Sequence, residues 1–341
     1  MSLAPSLTFP YAAPPPFGTL VPIAEGILWL RLPLPFGLDH VNVYLLEDRG
    51  GWALLDTGLG DDRTREIWSR VLDTALGGKP ITRLLCSHFH PDHVGLAGWL
   101  AERFGMPLYM AQSEYLYCRI LRTERGEGSP AEQTPFYTSA GLEPARIAEV
   151  LGRGQNYLLQ TTGLPSGFER LGAGQDLAFG GRDWRVLTGG GHSPEQVMLA
   201  GQGLFFAADQ VLARISPNIS VVPMMPNDDP LSVYLDSLAV LAKTVPDDVL
   251  VLPCHNLPFR GLHARLASLA AHHRQRCDVI SLAAKAKALT AAEILTAMFP
   301  RPLDPHQYRF AIGETLAHVN HMLGCGRLVA EGDAVRRYRS A

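Results

Sequence analysis

Ser87-His88-Phe89-His90-Pro91-Asp92-His93 places three imidazoles and a carboxylate within six residues, directly after the apolar run Ile81 to Cys86. That run reads as a strand and Val94 to Phe104 has a helical pattern, so the cluster occupies a strand-to-helix turn. Histidines at alternate positions of extended backbone project to one side. Asp92 and His93 fall at the helix start and aim at a neighbouring point, so one segment can serve two metal ions. Imidazole nitrogen and carboxylate oxygen suit zinc, and also iron or manganese. With no cysteine in the set, the pattern points to a catalytic rather than a closed structural site. In a chain of 341 residues with 12 histidines, chance produces this pattern on the order of once in a thousand.

Outward from the cluster the chain alternates. Gly26 to Leu32, Val41 to Glu47 and Gly51 to Asp56 read as strands, the last closing on the turn Thr57-Gly58-Leu59-Gly60. Asp61 to Leu76 is an amphipathic helix stopped by Gly77-Gly78. Pro107 to Met110 reads as a strand and Gln112 to Arg122 as a helix. Between Glu124 and Gly174 the periodicity weakens, except for a helix over Pro144 to Leu151, and the stretch reads as a cap or lid in an insertion over residues 111–174. β-patterns return at Asp176 to Phe179, Trp184 to Leu187, Val197 to Ala200 and Leu204 to Ala207. A helix at Leu231 to Lys243, a strand at Val249 to Leu252 and a long helix at Leu262 to Ala288 follow. Thr290 to Phe299, Phe310 to Gly324 and Arg327 to Val329 read as helix, helix and strand. The order is that of an α/β protein. It divides into a proline-rich extended arm (1–18), a catalytic domain (19–260) and a helical C-terminal unit (261–341).

A dinuclear centre needs further ligands, and single residues of the right type stand at later strand ends. His192 follows Trp184 to Leu187 in Gly189-Gly190-Gly191-His192-Ser193, where the glycines permit close approach of backbone to a site. Asp209 follows Leu204 to Ala207, and His255 follows Val249 to Leu252 in Pro253-Cys254-His255.

The pattern H-x-H-x-D-H, then His, Asp and His in this order, resembles the metallo-β-lactamase fold superfamily over residues 20–260. The resemblance implies an αββα sandwich of two mixed sheets faced by helices, with metals at one sheet edge. It implies His88, His90 and His192 on the first metal, Asp92, His93 and His255 on the second, and Asp209 bridging the two. Asp56, in Leu55-Asp56-Thr57-Gly58, matches a family acid that orients ligands. From Leu262 onward the chain resembles the small winged-helix-like C-terminal unit of members related to β-lactamase-like protein 2.

Two divalent cations, zinc foremost, share a water, lower its pKa and polarise a carbonyl or phosphoryl oxygen. Asp92 or Asp209 then relays the proton to the leaving group. Within the superfamily, the glyoxalase II and lactonase-like branch fits best. His93 and Asp209 stand where many zinc β-lactamases depart from the pattern, which argues against β-lactams. His255-Asn256-Leu257-Pro258 has no acid after the last histidine, which argues against a glutathione thioester. The expectation is cleavage of a thioester or lactone in a small molecule. A phosphodiesterase acting on nucleic acid and a metal-dependent binding or sensing module are the alternatives.

Composition sets the frame. A chain 47% hydrophobic and 18% charged, with net charge −3, excludes disorder and collagen, and no apolar run approaches a bilayer span. The start lacks a signal-peptide pattern, and five cysteines without a C-x-x-C pair read as reduced thiols, so a cytoplasmic protein is expected. Residues 261–341 carry 11 Lys and Arg against 6 Asp and Glu, which motivates the nucleic-acid alternative, although a solvated face is the simpler reading. The histidines outside the cluster, His40, His263, His272, His273, His306, His318 and His321, read as surface or satisfied interior residues. Cys86 and Cys254 read as packed thiols. Arg214, Ser216 and Asn218 are expected at the substrate entrance, and Tyr115, Tyr117, Tyr137 and Tyr157 are candidates for an oxyanion donor or an apolar wall.

Overall fold

The computed structural model describes residues 7–123, 128–152, 157–179 and 181–341. The first six residues of the proline-rich arm, and positions 124–127 and 153–156 of the insertion, lie outside them. Seven strands form one sheet in chain order: β1 (Leu20–Ala24), β2 (Ile27–Pro33), β3 (His40–Asp48), β4 (Gly51–Leu55), β5 (Ile81–Leu85), β6 (Leu108–Ala111) and β7 (Glu169–Leu171). β1 to β4 are an antiparallel meander. β4 to β7 run parallel, because each connection returns through helices. These are α1 (Asp62–Arg70), α2 (Pro91–Val94), α3 (Ala97–Phe104), α4 (Gln112–Leu121), α5 (Pro130–Ser139) and α6 (Pro144–Leu151).

The second sheet is an antiparallel run of β8 (Asp176–Phe179), β9 (Arg182–Gly189), β10 (Gln196–Gly201) and β11 (Leu204–Ala208), with β12 (Leu250–Pro253) parallel to β11. The crossover between the last two is α7 (Pro230–Thr244). Strand periodicity of two makes the sandwich. Tyr44 and Leu46 of β3 face Leu204 and Phe206 of β11 in the core between the sheets. Val41, Val43 and Leu45 turn the other way, onto Trp68, Leu100 and Cys118 of the helices covering the first sheet. Phe205 and Ala207 turn onto Tyr234 and Leu238 of α7. The result is the αββα arrangement of layers.

The C-terminal part contains α8 (Leu262–Ala283), α9 (Ala291–Met298) and α10 (Pro305–Gly324), and a hairpin of β13 (Leu328–Glu331) and β14 (Arg337–Ser340). Its apolar residues Ile294, Ile312 and Leu316 share one core with α7. Phe136 and Tyr137 of α5, and Ile147 and Val150 of α6, join that core, so this part of the insertion rests on the C-terminal helices.

Several elements differ from the sequence reading. The helix expected over Val94 to Phe104 is two pieces, α2 and α3, separated at Gly95 and Leu96. The helix expected to Leu76 changes to π-type over Val71–Ala75. The long helix from Leu262 ends at Ala283, and Leu289 instead exchanges two backbone hydrogen bonds with Tyr338. α5 has an internal Pro135 and a buried Gln133, which break its apolar stripe and conceal it from periodicity. β1, β7 and β14 carry too few buried positions to register as alternating strands.

Gly95 explains the break in the second helix. A Cβ there would collide with the Gly60 backbone nitrogen and with the Gly58 and Pro91 carbonyls. Its own carbonyl accepts from the Thr162 N–H at 2.7 Å and from the Thr162 hydroxyl at 2.9 Å. The helix carrying Asp92 and His93 is thereby seated on the turn that follows Asp56. Gly95→Ala is expected to lower stability by about 1–3 kcal/mol through overpacking, seen as a lower midpoint of denaturant unfolding at unchanged slope. An unchanged midpoint would show that this contact yields freely.

Candidate metal centre

The centre gathers at the carboxyl ends of strands: Asp56 after β4, the His88–His93 segment after β5, His192 after β9, Asp209 after β11 and His255 after β12. Parallel strands leave their carboxyl ends on one edge, where ligands of open α/β sheets are bound. The backbone at these exits is unusual. Among the described residues four non-glycines have positive φ, and three belong to the site: Asp56 (61°), Ala208 before Asp209 (45°) and Asn256 after His255 (68°). Asp and Asn tolerate this region, whereas for Ala it costs on the order of 1 kcal/mol. The register of β11 against β12 also shifts between Phe206 and Ala208, and this irregularity redirects Asp209.

Five imidazoles and two carboxylates converge. Ring centroids of His88, His90 and His192 lie 4.6–5.1 Å apart. His93 Nε2 and His255 Nε2 each lie 3.4 Å from Asp92 Oδ2. Asp209 stands between the groups: Oδ2 is 3.3 Å from His192 Nε2 and 3.6 Å from His93 Nε2, and Oδ1 is 3.3 Å from His255 Nε2. Three sets, His88 with His90 and His192, His88 with His93 and Asp209, and Asp92 with His93 and His255, bring donor atoms within 4.8 Å of one another and can each hold a metal ion.

The opposite ring nitrogens of four of the five imidazoles are engaged. His93 Nδ1 donates to Asp56 Oδ2 at 2.9 Å, His255 Nδ1 to the His40 carbonyl at 2.7 Å, and His192 Nδ1 to the Asn218 carbonyl at 2.9 Å. His88 Nδ1 donates at 2.9 Å to the Ser87 hydroxyl, which itself donates to Asp56. With Nδ1 held from behind, Nε2 is the nitrogen turned inward, the one that a neutral ring offers to a metal. His88 Nε2 then lies 2.9 Å from His90 Nδ1, two ring nitrogens aimed at one point. His93 Nε2, His192 Nε2 and Asp209 Oδ1 are buried without any hydrogen-bond partner. Buried orphaned donors and acceptors are costly, and a cation among them satisfies all three.

Burial pushes His88 well below the ordinary imidazole range and His90 down to about 3, so both are neutral. Burial acts in the same direction on His93, but Asp92, Asp209 and Asp56 outweigh it and hold the ring well above that range. His255 is raised against its burial by Asp209 and Asp92. Burial would lift the two acids, yet His93 with His255 keeps Asp92 low, and His255 with His93 keeps Asp209 low.

Other residues take places that sequence reading did not assign. His40 is a satisfied interior histidine whose carbonyl orients His255 and whose Nε2 accepts from the Asn256 N–H. A backbone carbonyl carries no sequence signal. Cys254 donates to Asp56 Oδ2 at 3.3 Å, giving that acid a fourth donor, while burial keeps its thiol protonated. Asn218 acts through its carbonyl, and Arg214 lies over the Phe9 ring of the arm. Tyr115 donates to the Pro165 and Ser166 carbonyls, Tyr157 donates to the Phe89 carbonyl, and Tyr137 is buried in the core, so none of the three is an oxyanion donor. Tyr117 stacks edge-on against Phe89, beside His90, as part of an apolar wall. The Gly189–Gly191 run permits close approach to α7 rather than to the centre: a Cβ at Gly191 would meet the Pro230 carbonyl at 2.5 Å. His318 faces His273, while His321 contacts Ser232. Glu114, absent from the sequence reading, accepts from both ligand-bearing turns, and burial raises its carboxyl to about 7.

The layered sheets and the His/Asp cluster at their edge define a metal-dependent hydrolase class. The chain belongs to the metallo-β-lactamase superfamily, whose family model matches residues 36–255. A second model, the metallo-beta-lactamase-like C-terminal domain, matches residues 277–341. A beta-lactamase domain protein from Burkholderia ambifaria is similar over 98% of both chains, at 39% identity and a TM-score of 0.91. A metallo-beta-lactamase family protein from Thermus thermophilus is 26% identical, with a TM-score of 0.79 over 94% of this chain and all of that one. The sec-alkylsulfatase Pisa1 from Pseudomonas sp. shares the fold at 15% identity and a TM-score of 0.57, covering 89% of this chain and 50% of its own. No curated protein matches. No helix among the described residues is long and apolar enough to cross a membrane.

Asp56→Asn removes the carboxylate that receives Ser87, His93 and Cys254 and turns an amide N–H₂ toward a donor. The expected outcome is a ten- to hundredfold loss of zinc affinity, measured by calorimetric titration of metal-free protein, with the far-ultraviolet dichroism unchanged. Wild-type affinity in this variant would show that the ligands hold their orientation without Asp56.

Proposed function

We propose that the chain is a dinuclear metallohydrolase that cleaves an ester-like carbonyl bond, a thioester or lactone, in a small molecule. The observation that carries this reading is Asp209, whose two oxygens each lie 3.3 Å from an imidazole of a different cluster. One carboxylate so placed suits a bridge, with His88, His90 and His192 on one side and Asp92, His93 and His255 on the other. The donor set suits zinc first, with iron or manganese as substitutes.

Divalent ions held by these residues would supply a hydroxide at neutral pH and polarise the scissile carbonyl. The chain's own residues do the rest. Asp92 is the more open acid, with 19% of its side chain exposed against 8% for Asp209, and it carries the proton to the leaving group. Phe89 and Tyr117 offer an apolar wall beside His90 that excludes water. Contacts within the fold made by three of the eleven basic C-terminal residues favour a small-molecule substrate over nucleic acid. Arg327 pairs with Asp278, Arg337 with Glu293, and Arg276 donates to the Met298 carbonyl. All five cysteines are free, which supports a reducing, cytoplasmic setting.

Elemental analysis of the purified protein is expected to find about two metal ions per chain. The loaded protein should turn over thioester or lactone substrates and leave bis-nitrophenyl phosphate essentially untouched. His90→Ala should lower turnover at least about a hundredfold. Turnover that persists after metal is stripped overturns the reading, and a loaded protein silent on all three substrates points to a binding module.

A further inference from the structure

The three-histidine cluster is assembled from two turns that belong to different sheets. His88 and His90 come from the turn after β5 in the first sheet, and His192 from the turn after β9 in the second. The His90 and His192 ring centroids are only 4.6 Å apart. One backbone hydrogen bond, from the Val197 N–H of β10 to the Ser87 carbonyl at 2.8 Å, ties the first turn to the strand that follows the second.

A side chain bridges the two turns themselves. Glu114, in the first turn of α4, is fully buried, and its two oxygens divide between the turns. Oε2 accepts from the Phe89 N–H at 2.9 Å, between the two histidines of the first turn. Oε1 accepts from the Ser193 hydroxyl at 2.7 Å and from the Glu195 N–H at 2.6 Å, just past His192. The neighbouring Ser113 hydroxyl donates to Glu195 at 2.6 Å and reinforces the second arm. An acid in the first turn of a helix ordinarily serves its own exposed N–H groups. This one reaches away from its helix, and a buried carboxylate is sustained only where donors satisfy it.

We propose that Glu114 is a positioning residue that staples the His88–His90 turn to the His192 turn and so sets the spacing of the three-histidine site. The proposal rests on the metal-centre reading above. Only a carboxylate can do this, because both of its oxygens accept. The isosteric amide of Gln keeps one acceptor and presents N–H₂ to a donor on the other turn, so Glu114→Gln cuts one arm while filling the same space.

The experiment is titration of metal-free protein with cobalt(II), followed by its visible absorption and by calorimetry, beside thermal unfolding of the metal-free form. Glu114→Gln is expected to lower cobalt affinity tenfold or more and to change the visible band, with the unfolding midpoint of the metal-free protein close to wild type. Ser193→Ala removes a single donor and is expected to lower affinity a few-fold in the same direction. It serves as the deciding variant if Glu114→Gln does not fold. Glu143→Gln, on the exposed start of α6, should match wild type. Wild-type affinity and spectrum in Glu114→Gln, or in Ser193→Ala where the first variant does not fold, overturn the staple and leave the metal-centre reading standing. Wild-type protein that takes up no cobalt overturns both.

Discussion

Asp209 lies between two groups of imidazoles that reach it from both sheets, with His192 on one oxygen and His255 on the other. Crowding five rings around buried acids is unfavourable unless charge and hydrogen bonding close the balance. The arrangement therefore constrains all the surrounding turns. The sheets must stack so that the ends of β4, β5, β9, β11 and β12 open on one edge. Each turn must then present one nitrogen inward while its other nitrogen is held from behind. Asp56 is the clearest case, gathering Ser87, His93 and Cys254 on one carboxylate.

The backbone carries part of this constraint. Left-handed residues at Asp56, Ala208 and Asn256 mark the exits of β4, β11 and β12. Strain of this kind persists only where surrounding contacts hold it, and it gathers at functional sites. Ala208 is the informative case, because it lacks the local side-chain hydrogen bond that makes Asp and Asn tolerant. Its carbonyl accepts from the Cys254 N–H at 3.1 Å, which ties the Asp209 turn to the His255 turn.

The C-terminal helices reach the same centre indirectly. Gly313 of α10 lets the 218–221 segment approach closely: a Cβ there would sit 2.9 Å from Ser220, and the Gly313 carbonyl accepts from the Val221 N–H. That segment supplies the Asn218 carbonyl to His192. Packing of α10 thus bears on the position of a centre residue without touching it, by way of one loop whose two ends are both held.

What the sequence determined alone is the part that depends on neighbours along the chain. The H-x-H-x-D-H turn, and His192, Asp209 and His255 at strand ends, were legible because residue type, order and strand periodicity are local properties. So were the alternating β-patterns that build the two sheets. Tertiary structure decided the rest. Glu114 and the His40 and Asn218 carbonyls act across long sequence separations, and nothing in their own segments marks them. The helix that periodicity runs through breaks at Gly95, whose carbonyl is taken by Thr162, 67 residues away in the chain and in contact in space. The irregular α5 is held by the core it shares with α10, not by a stripe of its own. Local pattern encodes what a segment can become and which chemistry it carries. Which segments meet is settled by packing and by buried polar groups that must each find a partner.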